Sequence, residues 1–351
     1  MTYWDQSAPP PKRSTLRAPG RAEMSTVGVI SHLPSFGLAK ARALAQATEE
    51  AGADWLGLPD AFWWHDTWLL VAEAARVTEQ IGLGPLVTNP YLRHPFHTVA
   101  AVATVQELAG DRVFVGIGAG GSEVSSAAGI SRRDAPVRVL QLASLLRSVG
   151  AGAPLDPLSG RSFDLAFETP TIMVAGRGDG ILDAAGRTAD KALLWAVPRS
   201  DLERSAGLIV AGAASGREAP RDRPEIVWAP LVDYGDADAV AARSSVAYSV
   251  LNSSADLRAR WGLGPAEVAE IRRRLVSGSG SAAELVPRSA VDDLLISDPD
   301  PSLVAVLARR IGATSIALPA FSAGRLAERV TWARAVLAQA SIAEGPLVVP
   351  N

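Results

Sequence analysis

The feature that most constrains the fold is an alternation of short apolar runs with longer segments of helical spacing, which starts at Val27. The first run, Val27–His32, is followed by apolar residues at helical spacing over Leu38–Gly52, and the second run is Asp54–Pro59. Short continuous apolar runs separated by amphipathic helices are typical of parallel strands that helices cover from outside. The alternation therefore predicts an α/β fold built from repeated βα units.

Six further apolar runs extend the pattern to the end of the 351-residue chain, and a final helix follows the last one. Between Asp233 and Ile311 only helical patterns occur. Eight strands joined by helices predict a (β/α)8 TIM barrel with a helical insertion before the last strand. An open doubly wound sheet is the alternative, because strand number does not show closure. The six runs are Leu83–Thr88, Arg112–Gly118, Thr171–Gly176, Ala192–Val197, Glu225–Val232 and Ser315–Ala320.

Composition narrows the class of protein. We interpret residues 27–345 as one catalytic domain and the Pro-rich, polar residues 1–26 as a disordered tail. A net charge of -3 offers no basic field for nucleic acid. The chain has no cysteine, so disulfides and thiolate metal sites are excluded. No apolar run approaches the length needed to span a bilayer, and no apolar signal-peptide core occurs near the start, so we expect a cytoplasmic protein with no membrane partner.

Two glycine-rich segments follow strands, where a barrel of this type carries its active site. Gly116, Gly118 and Gly121 fit the spacing G-x-G-x-x-G, but they follow the fourth strand rather than the first, and the residues after them contain no strand that an acidic residue could close about 20 positions further on, as a nicotinamide-dinucleotide site needs. The segment is either a tight turn or a place where backbone N–H groups approach an anion or a flat ring. The second segment, Ala175–Gly180, includes Arg177 and begins a helix, so it could hold a phosphate. Together they suggest a phosphorylated cofactor.

The stretch "VTNPYLRHP" from Val87, continued by "AAVATVQELAGDRVFVGIGAG", resembles the luciferase-like flavin-dependent superfamily, in particular its methylenetetrahydromethanopterin-reductase-like branch, which uses coenzyme F420. A weaker likeness covers most of Val27–Ala340. The resemblance implies a TIM barrel, usually a homodimer, that binds a deazaflavin or FMN at the carboxyl ends of its strands. It also implies a cis peptide bond between Leu86 and Val87.

The resemblance further implies which residues contact the cofactor. The ring would lie beside the third strand end, the ribityl chain beside the first glycine segment, and the phosphate at the second. Those positions are Leu86, Val87, Thr88 and Asn89, then Gly118, Ala119, Gly120 and Gly121, then Gly176, Arg177 and Gly178.

The chain departs from many relatives at the end of the second strand. They have Asp followed by His there, whereas this chain retains Asp60 and carries Ala61. His32, at the end of the first strand, is the substitute on this chain, so His32 and Asp60 are the candidate catalytic residues, with a capping or core role as the alternative for His32. Trp63 and Trp64 could wall a substrate pocket or pack in the core.

Other polar residues carry weaker predictions. His94 and His97 are one helical turn apart, but without a carboxylate or thiol partner they do not predict a metal site. Arg93, Arg132 and Arg133 could attract the acidic tail of F420, or lie on an ordinary solvated surface.

These observations predict an F420-dependent oxidoreductase that transfers a hydride to an electron-poor C=C or C=N bond of a small molecule. One alternative is an FMN-dependent monooxygenase that receives reduced flavin from a separate reductase. A second is a cofactor-binding paralogue that has lost its chemistry, which the alanine at position 61 motivates.

Overall fold

The computed structural model describes residues 25–32, 37–153, 165–215, 223–277 and 280–342. The tail predicted at 1–26 lies almost entirely outside these ranges.

Ten strands occur within the described residues, and all but β9 lie at or close to a predicted run. The limits differ from the prediction by a few residues, as is usual at strand ends. The strands are β1 Thr26–Ser31, β2 Trp55–Leu58, β3 Gly82–Pro85, β4 Phe114–Gly118, β5 Thr171–Ala175, β6 Lys191–Trp195, β7 Glu225–Ala229, β8 Leu231–Val232, β9 Leu295–Ile296 and β10 Ala313–Ala320.

Eight of these strands form one parallel sheet in the order β3-β2-β1-β10-β7-β6-β5-β4. The two ends of that order meet, because isolated parallel bridges join Leu83 to Val113 and Thr88 to Ile117. The sheet is therefore a closed barrel, which confirms the predicted TIM fold and shows that the open-sheet alternative is wrong.

The helices cover the outside of the barrel, and several begin where the sequence provides a cap. The Asp66 side chain accepts hydrogen bonds from the amides of Trp68 and Leu69 at the start of the second helix. Pro95 occupies the first turn of the third, where a missing N–H costs nothing. The helices are α1 Leu38–Glu50, α2 Thr67–Ala75, α3 Pro95–Ala109, α4 Ser122–Ala127, α5 Ala135–Gly150, α6 Asp179–Thr188, α7 Leu202–Ser215, α8 Ala239–Leu251, α9 Ala255–Arg260, α10 Pro265–Val276, α11 Arg288–Leu294, α12 Pro301–Arg310 and α13 Leu326–Ser341.

The inside of the barrel is filled by side chains rather than left as a channel. Its centre contains the rings of Trp55 and Phe114, which meet edge to face at 5.7 Å between ring centroids. Gly28 makes room for Trp55, because a Cβ at that position would overlap the indole ring. This packed interior supports the ends of the strands from below.

The segment between β7 and β10 departs from the prediction. The expected strand Glu225–Val232 ends at Ala229, and Leu231–Val232 instead pairs in parallel with Leu295–Ile296. Pro230 separates the two strands and has no amide hydrogen to donate to a ladder. The expectation of purely helical structure over 233–311 was therefore wrong at β9, although helices α8 to α11 do fill most of that segment and share a small apolar core.

Candidate active site

The polar residues at the ends of β2, β3 and β4 are joined by hydrogen bonds. Thr88 donates its hydroxyl to Asp60 Oδ2 at 2.8 Å. Its amide donates to the carbonyl of Gly116 at 2.9 Å, and its carbonyl accepts from the amide of Gly118 at 3.0 Å. Thr88 is fully buried, and its three hydrogen bonds hold the ends of β2, β3 and β4 in one arrangement.

Asp60 lies in an environment that favours its neutral form. Burial raises the pKa of this carboxyl, while the hydrogen bond from Thr88 and the positive charge of Arg93 oppose the rise. A carboxyl with a raised pKa retains its proton to higher pH than an exposed one and can give it to a substrate.

The peptide bond between Leu86 and Val87 is cis, as the resemblance implied. The two side chains occupy the space that a Cβ would need on the neighbouring strand. A Cβ at Gly116 would lie 2.5 Å from Leu86 Cδ1, and one at Gly118 would lie 2.8 Å from Val87 Cγ2. Packing of Leu86 and Val87 against β4 therefore explains these two glycines, a reason that neither sequence-based alternative, a tight turn or an approach of backbone N–H groups to a ligand, had included.

The second half of the glycine segment is built differently. Gly120 has φ of 75°, a conformation that glycine adopts without strain. A Cβ on Gly120 would lie 3.6 Å from the side chain of Asn89. Asn89 Oδ1 accepts hydrogen bonds from the amides of Tyr91 and Leu92, both at 3.1 Å, which leaves its amide nitrogen as the group that can donate to a ligand. Ala119 and Gly121 flank Gly120 and complete this loop.

Arg177 follows β5 and is half-buried. It donates to the carbonyl oxygens of Ser249 at 3.1 Å and Ala196 at 3.4 Å. Burial lowers its pKa to about 10, so it remains charged at neutral pH. Among the described residues, none provides a carboxylate that forms an ion pair with it.

The two glycines beside Arg177 differ in the space around them. A Cβ at Gly176 would overlap the side chain of Ile181 in α6, whereas a Cβ at Gly178 would meet nothing within 4 Å. Gly178 is also the residue that precedes α6, where backbone amides favour a negative charge. The loop thus places the positive charge of Arg177 next to the open space at Gly178 and next to the start of α6.

On the far side of the mouth, three aromatic rings from different strands meet. The imidazole of His32, after β1, stacks on Trp195 of β6 with 4.6 Å between ring centroids and 18° between planes. Phe321, after β10, lies 5.6 Å from the same imidazole. Burial lowers the pKa of His32 to about 4, so this residue is neutral at pH 7.

Sequence reasoning missed Phe321, although it follows the last strand, where the rule for barrel mouths could have found it. The predicted wall residues Trp63 and Trp64 lie after β2 and are 47% and 42% exposed. Trp63 packs against Phe62 with 4.9 Å between ring centroids. They form an exposed aromatic surface rather than part of the core.

Several weaker candidates have local partners. Arg93 forms an ion pair with Asp66, and Arg132 donates to the carbonyl of Gly120 at 2.6 Å. His94 caps α3, since its Nδ1 accepts from the amide of Phe96 at 3.3 Å. Within the described ranges, no cluster of three or more His, Asp or Glu side chains could hold a metal ion. In the same ranges, no helix is both long and apolar enough to cross a bilayer.

Residues 19–308 match the model of the luciferase-like monooxygenase family. The chain belongs to this family. The proteins that it resembles include 5,10-methylenetetrahydromethanopterin reductase from Methanolobus tindarius, which is 28% identical over 264 residues, 72% of this chain and 80% of that protein. The protein is therefore an oxidoreductase of the luciferase-like type.

Two solved structures share the fold of this luciferase-like chain. The coenzyme F420-dependent tetrahydromethanopterin reductase from Methanopyrus kandleri superposes with a TM-score of 0.69 and 19% identity, over 88% of this chain and 97% of that one. A monooxygenase from Streptomyces bottropensis superposes with a TM-score of 0.58 and 17% identity, over 89% and 98%. Both confirm the luciferase-like TIM barrel.

Proposed function

We propose that the protein is an F420-dependent reductase that transfers a hydride between reduced F420 and an electron-poor C=C or C=N bond of a small organic molecule. The observation that carries the proposal is Arg177, a half-buried arginine with carbonyl partners and no carboxylate partner among the described residues, next to the open start of α6. A guanidinium without a carboxylate partner is suited to a phosphate. The likeness to a methanopterin reductase supports F420 as the phosphate-bearing cofactor.

The donor groups at the mouth fit such a cofactor. Arg177, Gly176 and Gly178 would hold the phosphate, and Gly118–Gly121 would flank the ribityl chain. The ring would lie against Leu86, Val87, Thr88 and Asn89, where the free amide nitrogen of Asn89 can donate a hydrogen bond. Bound in its reduced form, F420 supplies a hydride to a carbon of the acceptor.

The chain's own contribution is to position the reactants and supply a proton. Asp60, whose pKa is raised by burial, can hold a proton at its carboxyl and release it to the acceptor atom next to the carbon that receives the hydride. The hydroxyl of Thr88 orients that carboxyl. His32 has a pKa of about 4 and carries no charge at pH 7, so it could donate a proton only from its neutral ring.

The aromatic groups favour an apolar, planar substrate. His32, Trp195 and Phe321 present a surface of ring carbons at the mouth and exclude water from it. Trp63 and Trp64, which are partly exposed, would wall the outer part of the pocket. Excluding water strengthens hydrogen bonds inside the site and supports hydride transfer.

The cofactor is tested by titrating the purified protein with F420 and with FMN at low and moderate salt. We expect tighter and more salt-sensitive binding of F420. Replacing Arg177 by Ala removes a charged hydrogen bond worth about 1.5–3 kcal/mol, so Kd should rise about 10- to 100-fold. The control is Arg187→Ala, which removes a surface guanidinium of α6 that pairs with Asp183.

Two other outcomes would change the assignment. A preference for FMN would favour the FMN-dependent monooxygenase, with a separate flavin reductase as partner, and the fold match to a monooxygenase is consistent with that alternative. Binding without turnover on a substrate panel would favour a paralogue that has lost its chemistry. The alanine at position 61, where many relatives have His, motivates this alternative. Failure to bind either cofactor would contradict the reductase.

We also propose that residues 27–345 act as one catalytic domain and that the protein is a cytoplasmic homodimer. Leu69 on α2 and Phe96 on α3 support an interface, because these neighbouring helices expose 66% and 41% of those apolar side chains. Sedimentation of the full chain measures the oligomeric state, and a monomer at micromolar concentration would contradict the dimer.

A further inference from the structure

Arg132 has a contact that the proposed function does not use. It lies between α4 and α5, is half-buried, and donates from Nη1 to the carbonyl oxygen of Gly120 at 2.6 Å. Its neighbour Arg133 is exposed. The two arginines therefore have equal charge but different contacts.

The loop that Arg132 contacts is held from three sides. The side chain of Asn89 lies against Gly120, and the carbonyl of Gly121 accepts from both the amide and the hydroxyl of Ser125, at 3.0 and 3.1 Å. The carbonyl of the preceding residue, Gly120, accepts the hydrogen bond from Arg132. The contacts of Asn89, Ser125 and Arg132 thus together hold the loop in one backbone conformation.

A contact at this carbonyl fixes the direction of the whole peptide unit. The C=O and N–H groups of a planar trans peptide point in opposite directions, so the N–H of Gly121 faces away from Arg132. Rotation of this peptide changes ψ of Gly120 and φ of Gly121, and both residues are glycines, which adopt a wide range of these angles at little cost. The hydrogen bond from Arg132 to the carbonyl of Gly120 directly opposes this rotation.

We propose that Arg132 is a positioning residue that holds the Gly120–Gly121 peptide in one orientation for the cofactor. It acts through the carbonyl of Gly120 and not by attracting the acidic tail of F420. The role of the loop at the cofactor rests on the proposed function. The restraint on the loop itself rests only on the contacts described above.

The first test measures the loop in the protein without ligand. Hydrogen exchange of the amides of residues 119–125 is compared among the wild type, Arg132→Met, which retains the aliphatic stem, and the matched control Arg133→Met. Loss of one hydrogen bond should speed exchange about fivefold to tenfold in Arg132→Met and leave Arg133→Met unchanged. Equal exchange in the wild type and Arg132→Met would overturn the proposal.

The second test separates positioning from charge. Arg132→Met should weaken F420 and FMN by the same factor, about tenfold, with the salt dependence of Kd unchanged. Arg132→Lys keeps the charge without the guanidinium geometry and should fall between Arg132→Met and the wild type. An effect confined to F420, with Arg132→Lys equal to the wild type, would show attraction of the tail instead. If the wild type binds neither cofactor, the proposed function fails while the exchange result still decides the role of Arg132.

Discussion

The two sides of the barrel mouth are built from different groups. On the side of β2 and β3, Asp60 and Thr88 meet through a hydrogen bond. On the side of β1, β6 and β10, His32, Trp195 and Phe321 meet through their rings. One side carries a carboxyl and a hydroxyl joined by a hydrogen bond, and the other carries three packed rings.

Burial nevertheless has the same physical effect on both sides, since it disfavours the charged form of a titratable group. It raises the pKa of Asp60 and lowers the pKa of His32, because each group loses solvation in its charged form. Arg177 is different, since a pKa lowered to about 10 still leaves it charged at neutral pH. The comparison shows that Arg177 keeps its positive charge at neutral pH, while burial shifts the titration of both candidate proton carriers toward the neutral form.

The largest effect is expected on the aromatic side. Trp195→Ala removes the ring that stacks on His32 and packs against both the barrel interior and the insertion core. We expect a loss of about 2–3 kcal/mol in the free energy of unfolding, measured with urea, because a large cavity forms between these groups. Trp63→Ala, at an exposed ring, should cost less than about 1 kcal/mol. Equal losses in the two variants would contradict this picture of the mouth.

The pH dependence of stability tests the burial of His32. Its folded pKa of about 4 lies below the unfolded value of about 6.5, so the unfolded chain binds a proton between these values and the folded one does not. Stability should therefore fall as the pH decreases through that window. Between pH 7 and pH 5 the wild type should lose about 2 kcal/mol more than His32→Phe, which retains a ring for the stack. Parallel pH profiles for the two proteins would mean that His32 is solvated.

The smallest effect is expected on the polar side. Thr88→Val keeps the shape of the side chain but removes the hydroxyl that donates to Asp60. The free energy of unfolding should fall by about 1 kcal/mol, and the pKa of Asp60 should rise further, because the charged carboxylate loses a donor. Carbon-detected NMR titration of Asp60 measures the second change. Thr88→Ser should retain most of the wild-type behaviour, and a lower pKa in Thr88→Val would contradict the assignment.

The sequence predicted the architecture well because the signals were local. Alternating apolar runs and helical spacing located every barrel strand. The resemblance to a family added the cis bond between Leu86 and Val87. The same pattern failed at β8 and β9, since a two-residue strand carries too little periodicity to be recognised.

The candidate site was predicted as a set of positions, but not as a set of contacts. The reasons for Gly116 and Gly118 lie in the side chains of Leu86 and Val87 on the neighbouring strand, which no spacing within the glycine motif reveals. Likewise, nothing near Arg132 in the sequence indicates that its partner is a carbonyl rather than a cofactor.

The sequence by itself determined the succession of βα units, the insertion and the strand ends at which chemistry could occur, because the periodicity of apolar residues is set by the helix and strand that each segment forms. Only the tertiary structure decided that His32 meets Trp195 from the far side of the mouth and that Arg177 reaches a carbonyl in α8. These pairs are separated by many residues in the chain. Closure of the sheet brings them together, and their burial, which shifts their pKa values, exists only once the barrel has closed.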